Sequence, residues 1–128
     1  MMNNRELPWD ETDFRLIIGS TGIEYDSDKE EINRRLHGYS LESAQYILER
    51  AVDPFSEKKA LLITREVVRA GEVRHEHLTQ DDHRNVVFIV TTMRPGETVR
   101  IISFRPASLK ERVFYHLYCL HIIQIFRR

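Results

Sequence analysis

Two short stretches of this chain concentrate side chains that can do polar chemistry. "VRIISFRPASLKER", residues 99–112, carries Arg100, Arg105 and Arg112. An arginine fork can hold two oxygens of one phosphate and does not lose its charge. "EVRHEHLT", residues 72–79, carries Arg74, His75, Glu76 and His77. Histidine titrates near neutral pH, so His37, His75 and His77 are candidate proton donors and acceptors, with Glu76 and Tyr115 behind them. His75 and His77 also share one strand face, and with Asp82 or His83 nearby they raise the question of zinc. A zinc site needs three or four ligands and a supporting shell, which this pair alone does not provide. No metal or other cofactor is expected.

Each candidate has a plain structural use as well. Arg112 can pair with an acid on a helix surface. His37 precedes Gly38 in "NRRLHGYS", where a histidine in a last helical turn meets the helix dipole and a glycine ends the helix. Arg100 and Arg105 are an odd number of residues apart, so an ideal strand points them to opposite faces. They converge only if the strand ends near Arg105, which Pro106 permits.

The elements that must position these residues follow from the hydrophobic pattern. "GIEY", residues 22–25, reads as a short first strand. "DSDKEEINRRLHG" reads as a helix with Asp26 as N-cap, acids in its first turn, bases in its last and Gly38 beyond its end. Ser40 caps a second helix, "LESAQYILERA", with an apolar stripe at Leu41, Ala44, Ile47, Leu48 and Ala51. "DPF" at 53–55 closes it. "EVRHEHLT", "NVVFIVTTM" and "TVRIISFR" read as strands, and "KALLITREVV" fits a helix or a strand, with strand preferred. "QDDHR" and "RPGE" are turns between them, the second of type II. "SLKE", residues 108–111, matches a capping box and opens a long last helix, "LKERVFYHLYCLHIIQIF". The expected fold is α+β: an antiparallel sheet of about four strands, two N-terminal helices and a long C-terminal helix.

Length and composition bound the rest. The 128 residues suit one domain, and 41% hydrophobic with 30% charged residues is ordinary globular composition. Cys119 is the single cysteine, so no internal disulfide forms. No apolar run is long enough for a membrane span, and "MMNNRELPWDETDF" lacks the core of a signal peptide, so the expected location is the cytoplasm. The net charge of −1 hides an asymmetry: residues 1–31 carry three basic and nine acidic side chains, residues 94–128 seven basic and two acidic ones. A basic C-terminal third can hold an anion such as RNA. The last helix is apolar almost all round from Leu117 onward. That calls for cover on two sides: from the N-terminal arm "PWDETDFRLII", a second copy or another protein.

Residues 23–44, "IEYDSDKEEINRRLHGYSLESA", resemble the opening signature of the BrnT toxin family through Asp26, Lys29, Asn33, Arg35, His37, Gly38, Ser40 and Ala44. Residues 99–115 resemble its second signature through Arg100, Ile101, Ile102, Ser103, Arg105, Ala107, Glu111, Arg112 and Tyr115. Arg74 and the strand "NVVFIV" fall where the family's middle strands belong. The resemblance spans residues 23–116, with 1–22 as an N-terminal extension to a single domain over 23–128. Three positions depart from the pattern: Leu36 replaces a lysine, Phe104 a small residue and Pro106 a frequent lysine.

The resemblance implies a RelE-like fold and a metal-independent ribonuclease toxin. It further implies neutralisation by a BrnA-like ribbon-helix-helix antitoxin and contact with DNA only through the toxin–antitoxin complex. RNA cleavage through the 2′-hydroxyl needs a base, an acid and cations around the phosphorane. On this reading Arg100, Arg105, Arg112 and His37 are the catalytic candidates, and Lys29, Arg35, Arg74 and Lys110 the RNA-binding ones. A catalytically degenerate relative acting as a protein-binding module is the alternative. A homodimer through the C-terminal helix is a further expectation.

Overall fold

The computed structural model describes Phe14, Leu16, Ile17 and residues 19–53, 55–57 and 60–126, except the side chains of residues 123, 125 and 126. The elements run β1 (Gly22–Tyr25), α1 (Ser27–His37), α2 (Leu41–Val52), β2 (Ile63–Arg69), β3 (Glu72–Gln80), β4 (Val86–Arg94), β5 (Thr98–Pro106) and α3 (Leu109–Phe126). The strands form a single sheet in the order β1-β5-β4-β3-β2. The expectation of about four antiparallel strands is corrected to five, because β1 pairs parallel with β5. Strands β2 to β5 form the antiparallel meander. The chain enters β1, makes both helices and the meander, and returns beside its own start.

Local chemistry fixes the element ends. Asp26 accepts from the Asp28 N–H and caps α1, and Gly38 ends it at φ 75°, in the left-handed region. Ser40 caps α2, and the Glu30 carboxylate joins it there, accepting from the Leu41 N–H and the Ser40 hydroxyl. At the β3–β4 turn, Asp81 accepts from the His83 and Asn85 N–H groups. The β4–β5 turn is not a simple type II turn: Glu97 as well as Gly96 takes positive φ.

The sheet is covered on both faces. Leu41, Ala44, Ile47 and Leu48 of α2 pack over Val87, Ile89, Ile101 and Phe104. On the opposite face Tyr115 of α3 and Ala107 pack over Ile63, Leu78, Val86 and Phe88. Phe14 and Leu16 belong to the α2 side, not to α3. The expected packing of "PWDETDFRLII" against the last helix is therefore corrected for these two residues; Trp9 lies outside the described residues. Phe14 sits edge-on to His77 at 4.4 Å between ring centres, so this side chain covers histidines rather than the terminal helix.

One buried side chain joins α1 to the sheet. β1 pairs with β5 only as far as Ile101, so the outer edge of β5 is unpaired beyond it. There the Asn33 amide donates to the Phe104 carbonyl at 2.7 Å and accepts from the Phe104 N–H at 3.0 Å. It acts as one residue of a missing strand. It also donates to the Tyr39 carbonyl, tying the α1–α2 connection to the same point. Asn33→Ala leaves both Phe104 backbone groups buried without partners, at about 1–3 kcal/mol for each such group. The expected loss is about 2–4 kcal/mol, read as a lower urea midpoint at an unchanged slope. A loss below about 0.5 kcal/mol would show that water replaces the amide.

Candidate nucleic-acid interface

A bulge in β5 decides where the arginines point. Val90 pairs with Ser103 and Thr91 with Ile101, so Ile102 is the extra residue. Val99 and Ile101 face the α2 side before the bulge, and Phe104 faces the same side after it. The inside–outside parity of the strand therefore flips. Arg100, Ser103 and Arg105 pair with Thr92, Val90 and Phe88, alternate residues of β4, and so share the α3 face. β5 ends at Pro106, next to Arg105 as expected, but it is the inserted residue, not the strand end, that puts Arg100 and Arg105 on one face.

The α3 face is apolar at one end and charged at the other. Helix α3 covers the end with Ile63, Leu78 and Phe88. Past it lie Arg65 and Arg69 of β2, Glu72, Arg74 and Glu76 of β3, Arg94 of β4 and Arg100 of β5. Glu76 is nearly buried and holds Arg65 at 2.7 Å. Glu72 holds Arg74 at 2.9 Å, and Asp26 and Glu24 stand 3.5 and 3.9 Å from Arg100. The carboxylates orient the guanidinium groups but do not match them in number, so the face keeps a positive surplus. Where it meets the start of α3, a cleft of about 290 Å³ is lined by Arg65, Leu78, Ser108, Lys110, Glu111 and Phe114.

Arg105 forms the corner between strand and helix. Its two terminal nitrogens donate to the two Glu111 oxygens at 2.8 and 3.0 Å, and its guanidinium lies 4.0 Å over the Phe88 ring. The Ser108 N–H also donates to Glu111, and the Glu111 N–H donates back to the Ser108 hydroxyl, so the expected capping box is present. Burial by itself would raise the Glu111 carboxyl, but the Arg105 and Ser108 hydrogen bonds outweigh it and hold the group below the usual carboxylate range.

The remaining candidates scatter. Lys29 and Arg35 lie exposed on α1, with Arg35 paired to Glu31. His37 is half-buried in the last turn of α1, one turn past Asn33 on the same flank. Arg112 is exposed on α3. His75 and His77 point to the α2 face and are buried, so as acid–base groups they are cut off from the arginines. The two His77 ring nitrogens meet the Thr64 and Thr91 hydroxyls, each at 2.8 Å. Burial, helped by His75, pushes the His77 pKa down to about 3, which keeps the ring neutral. The Tyr115 hydroxyl donates to the Leu61 carbonyl, and burial raises its pKa well above the usual phenol range. Among the described residues, no three His, Cys, Asp or Glu side chains gather as metal ligands. No described helix is long and apolar enough to cross a membrane.

The family model for the ribonuclease toxin BrnT of type II toxin–antitoxin systems matches residues 25–111. The chain belongs to the BrnT family. The matched span contains α1, α2, the meander with its bulge, and the Arg105–Glu111 corner, and it stops inside the first turn of α3. The chain is also similar to the 1.1 Å crystal structure of the Brucella abortus ribonuclease toxin BrnT, at 16% identity and a TM-score of 0.48, covering 69% of this chain and 97% of that one. No curated protein sequence matches the chain.

Two of the three departures from the BrnT pattern find a physical place. Phe104 is fully buried on the α2 face and stacks on Tyr39 at 4.4 Å, so its bulk does not intrude on the arginine face. Leu36 is exposed on α1, where it subtracts a charge and fills no pocket. The sequence reading missed Arg65 and Phe88. Alternation in "ITREVVR" and "NVVFIV" could have placed both on one face.

The neutral, buried His77 sets an acid limit on the fold. Its folded pKa lies below the usual histidine value of about 6.5, so the unfolded chain binds the proton first. Its contribution is complete above pH about 6.5 and is lost as the pH falls toward about 3. Unfolding monitored across that window should show stability falling by up to about 1.4 kcal/mol per pH unit, and His77→Gln should flatten the slope. An equally steep slope in the variant would assign the acid sensitivity to other groups.

Proposed function

We propose that this chain is an RNA-cleaving toxin that works without a metal, its substrate backbone lying along the arginine face of the sheet. The observation that carries the reading is the β5 bulge, which sets Arg100 and Arg105 on one face of the sheet with Ser103 between them. Two guanidinium groups on a rigid strand suit the phosphorane formed when a 2′-hydroxyl attacks the adjacent phosphorus. Arg74 and Lys110 hold flanking phosphates, and Lys29 and Arg35 are further RNA contacts from α1. His37 is the acid–base residue of this scheme, and Arg112 adds charge from α3. The partner is a BrnA-like antitoxin that covers the face, and the protein meets DNA only within that complex.

One observation favours a second reading. The end-on edge that Arg105 would offer a phosphate, Nη1 with Nη2, is taken by Glu111, as expected of a structural pin in a catalytically silent binding protein. Incubating the purified chain with RNA, with and without EDTA, separates the two. The toxin reading expects cleavage that EDTA leaves unchanged. Arg100→Ala should keep the fold and lower cleavage about 10²–10³-fold, the usual cost of removing one charge-stabilising donor. Arg105→Ala should lower both stability and cleavage, so its rate is compared per folded molecule. Absence of cleavage by the folded wild type, together with retained antitoxin binding, would establish the binding module.

A further inference from the structure

Helix α3 carries a feature that neither the sheet nor the RNA face uses. Its inner side is spent: Tyr115 is buried, and Phe114, Tyr118 and Cys119 pack beside it on the sheet. On its outer side Leu109, Val113, Leu117 and Leu120 are 50–68% exposed. Their spacing of four, four and three residues makes one continuous stripe. A stripe of that length on a surface helix marks a place where another chain binds. Most of it lies past residue 111, beyond the span shared with the BrnT family.

Charge selects the occupant. Lys110 and Arg112 are exposed on the same helix, and its single carboxylate, Glu111, is engaged by Arg105. A second copy of α3 laid against this stripe would bring like charges together along the seam. An amphipathic segment with leucine-type anchors and acidic flanks would satisfy both the stripe and its border. We propose that the outer face of α3 is a docking surface for an acidic amphipathic helix of the cognate antitoxin. This rests on the toxin reading above and adds to it the surface and the chemistry of the partner. The stripe begins beside the Arg105–Glu111 corner, at the start of α3. A segment seated on α3 anchors the antitoxin beside that corner, from which the rest of it can cover the arginine face.

The probe is the protein encoded next to this chain's gene, co-expressed and co-purified with the full-length chain. The wild-type pair should form a complex that weakens steeply between low and physiological salt. Leu117→Asp with Leu120→Asp should weaken the complex at least tenfold and restore growth arrest in cells expressing both proteins. RNA cleavage and thermal midpoint of the free chain should not move, since both side chains are exposed. Unchanged affinity in the double variant would overturn the surface assignment while leaving the toxin reading intact. Light scattering of the free wild-type chain gives a second check. A dimer that the double variant dissolves would show that a second copy covers the stripe, and would overturn the proposal. A wild-type chain that neither cleaves RNA nor binds the neighbour's product would remove the functional reading itself.

Discussion

The clasp of the Asn33 amide on the backbone of Phe104 is the contact on which the site geometry depends. A strand edge that is buried but unpaired is costly, because an N–H and a C=O lose water together. β1 covers the β5 edge only to Ile101, and the bulge follows directly. β4 holds the inner edge of the segment after the bulge in its flipped parity, and the outer edge at Phe104 would be left without a partner. Asn33 supplies that partner from a helix. It thereby fixes Phe104 inward and, by alternation, Arg105 outward.

The two faces of the sheet then take opposite electrostatic characters. On the α2 face, polarity is buried and cancelled: His77 lies between two threonine hydroxyls, neutral and enclosed by Phe14. On the α3 face, charge is kept and half exposed. Each arginine leans on a carboxylate that fixes its direction, as Glu76 does for Arg65 and Glu111 for Arg105. Such pairs contribute little to stability where water reaches them, but they pre-organise the donors a phosphate would meet. Asp26 serves twice, capping α1 and standing 3.5 Å from Arg100, so the helix start and the site are set by one side chain.

α3 links the arginine corner to the second core. Its first turn is locked to the arginine corner by the Ser108–Glu111 box. Its inner side completes the second core through Tyr115. Its outer side leaves apolar surface toward solvent, a state a monomer sustains only at some risk of association. One rigid element therefore carries the arginine corner, part of the core and an exposed apolar stripe.

The elements themselves were legible in the residues. Caps at Asp26, Ser40 and Ser108, the glycine after His37, the apolar stripe of α2 and the β-branched run of β4 are local signals, because each depends on neighbours within a turn or a strand. The two arginine-bearing signatures were legible for the same reason. The parallel pairing of β1 with β5 was not, since it joins segments over seventy residues apart and leaves no local trace. Nor was the fate of His75 and His77: alternation placed them on one face, but which face lies against α2 and Phe14 is a property of packing. The convergence of Arg100 and Arg105 was hidden most completely. Counting along an ideal strand separates them, and a single inserted residue, held by an amide from another element, reverses the count. Sequence determined which elements form and what charge they carry; tertiary structure decided which side of the sheet each charge faces, because parity in a strand is set by its partners and not by its own residues.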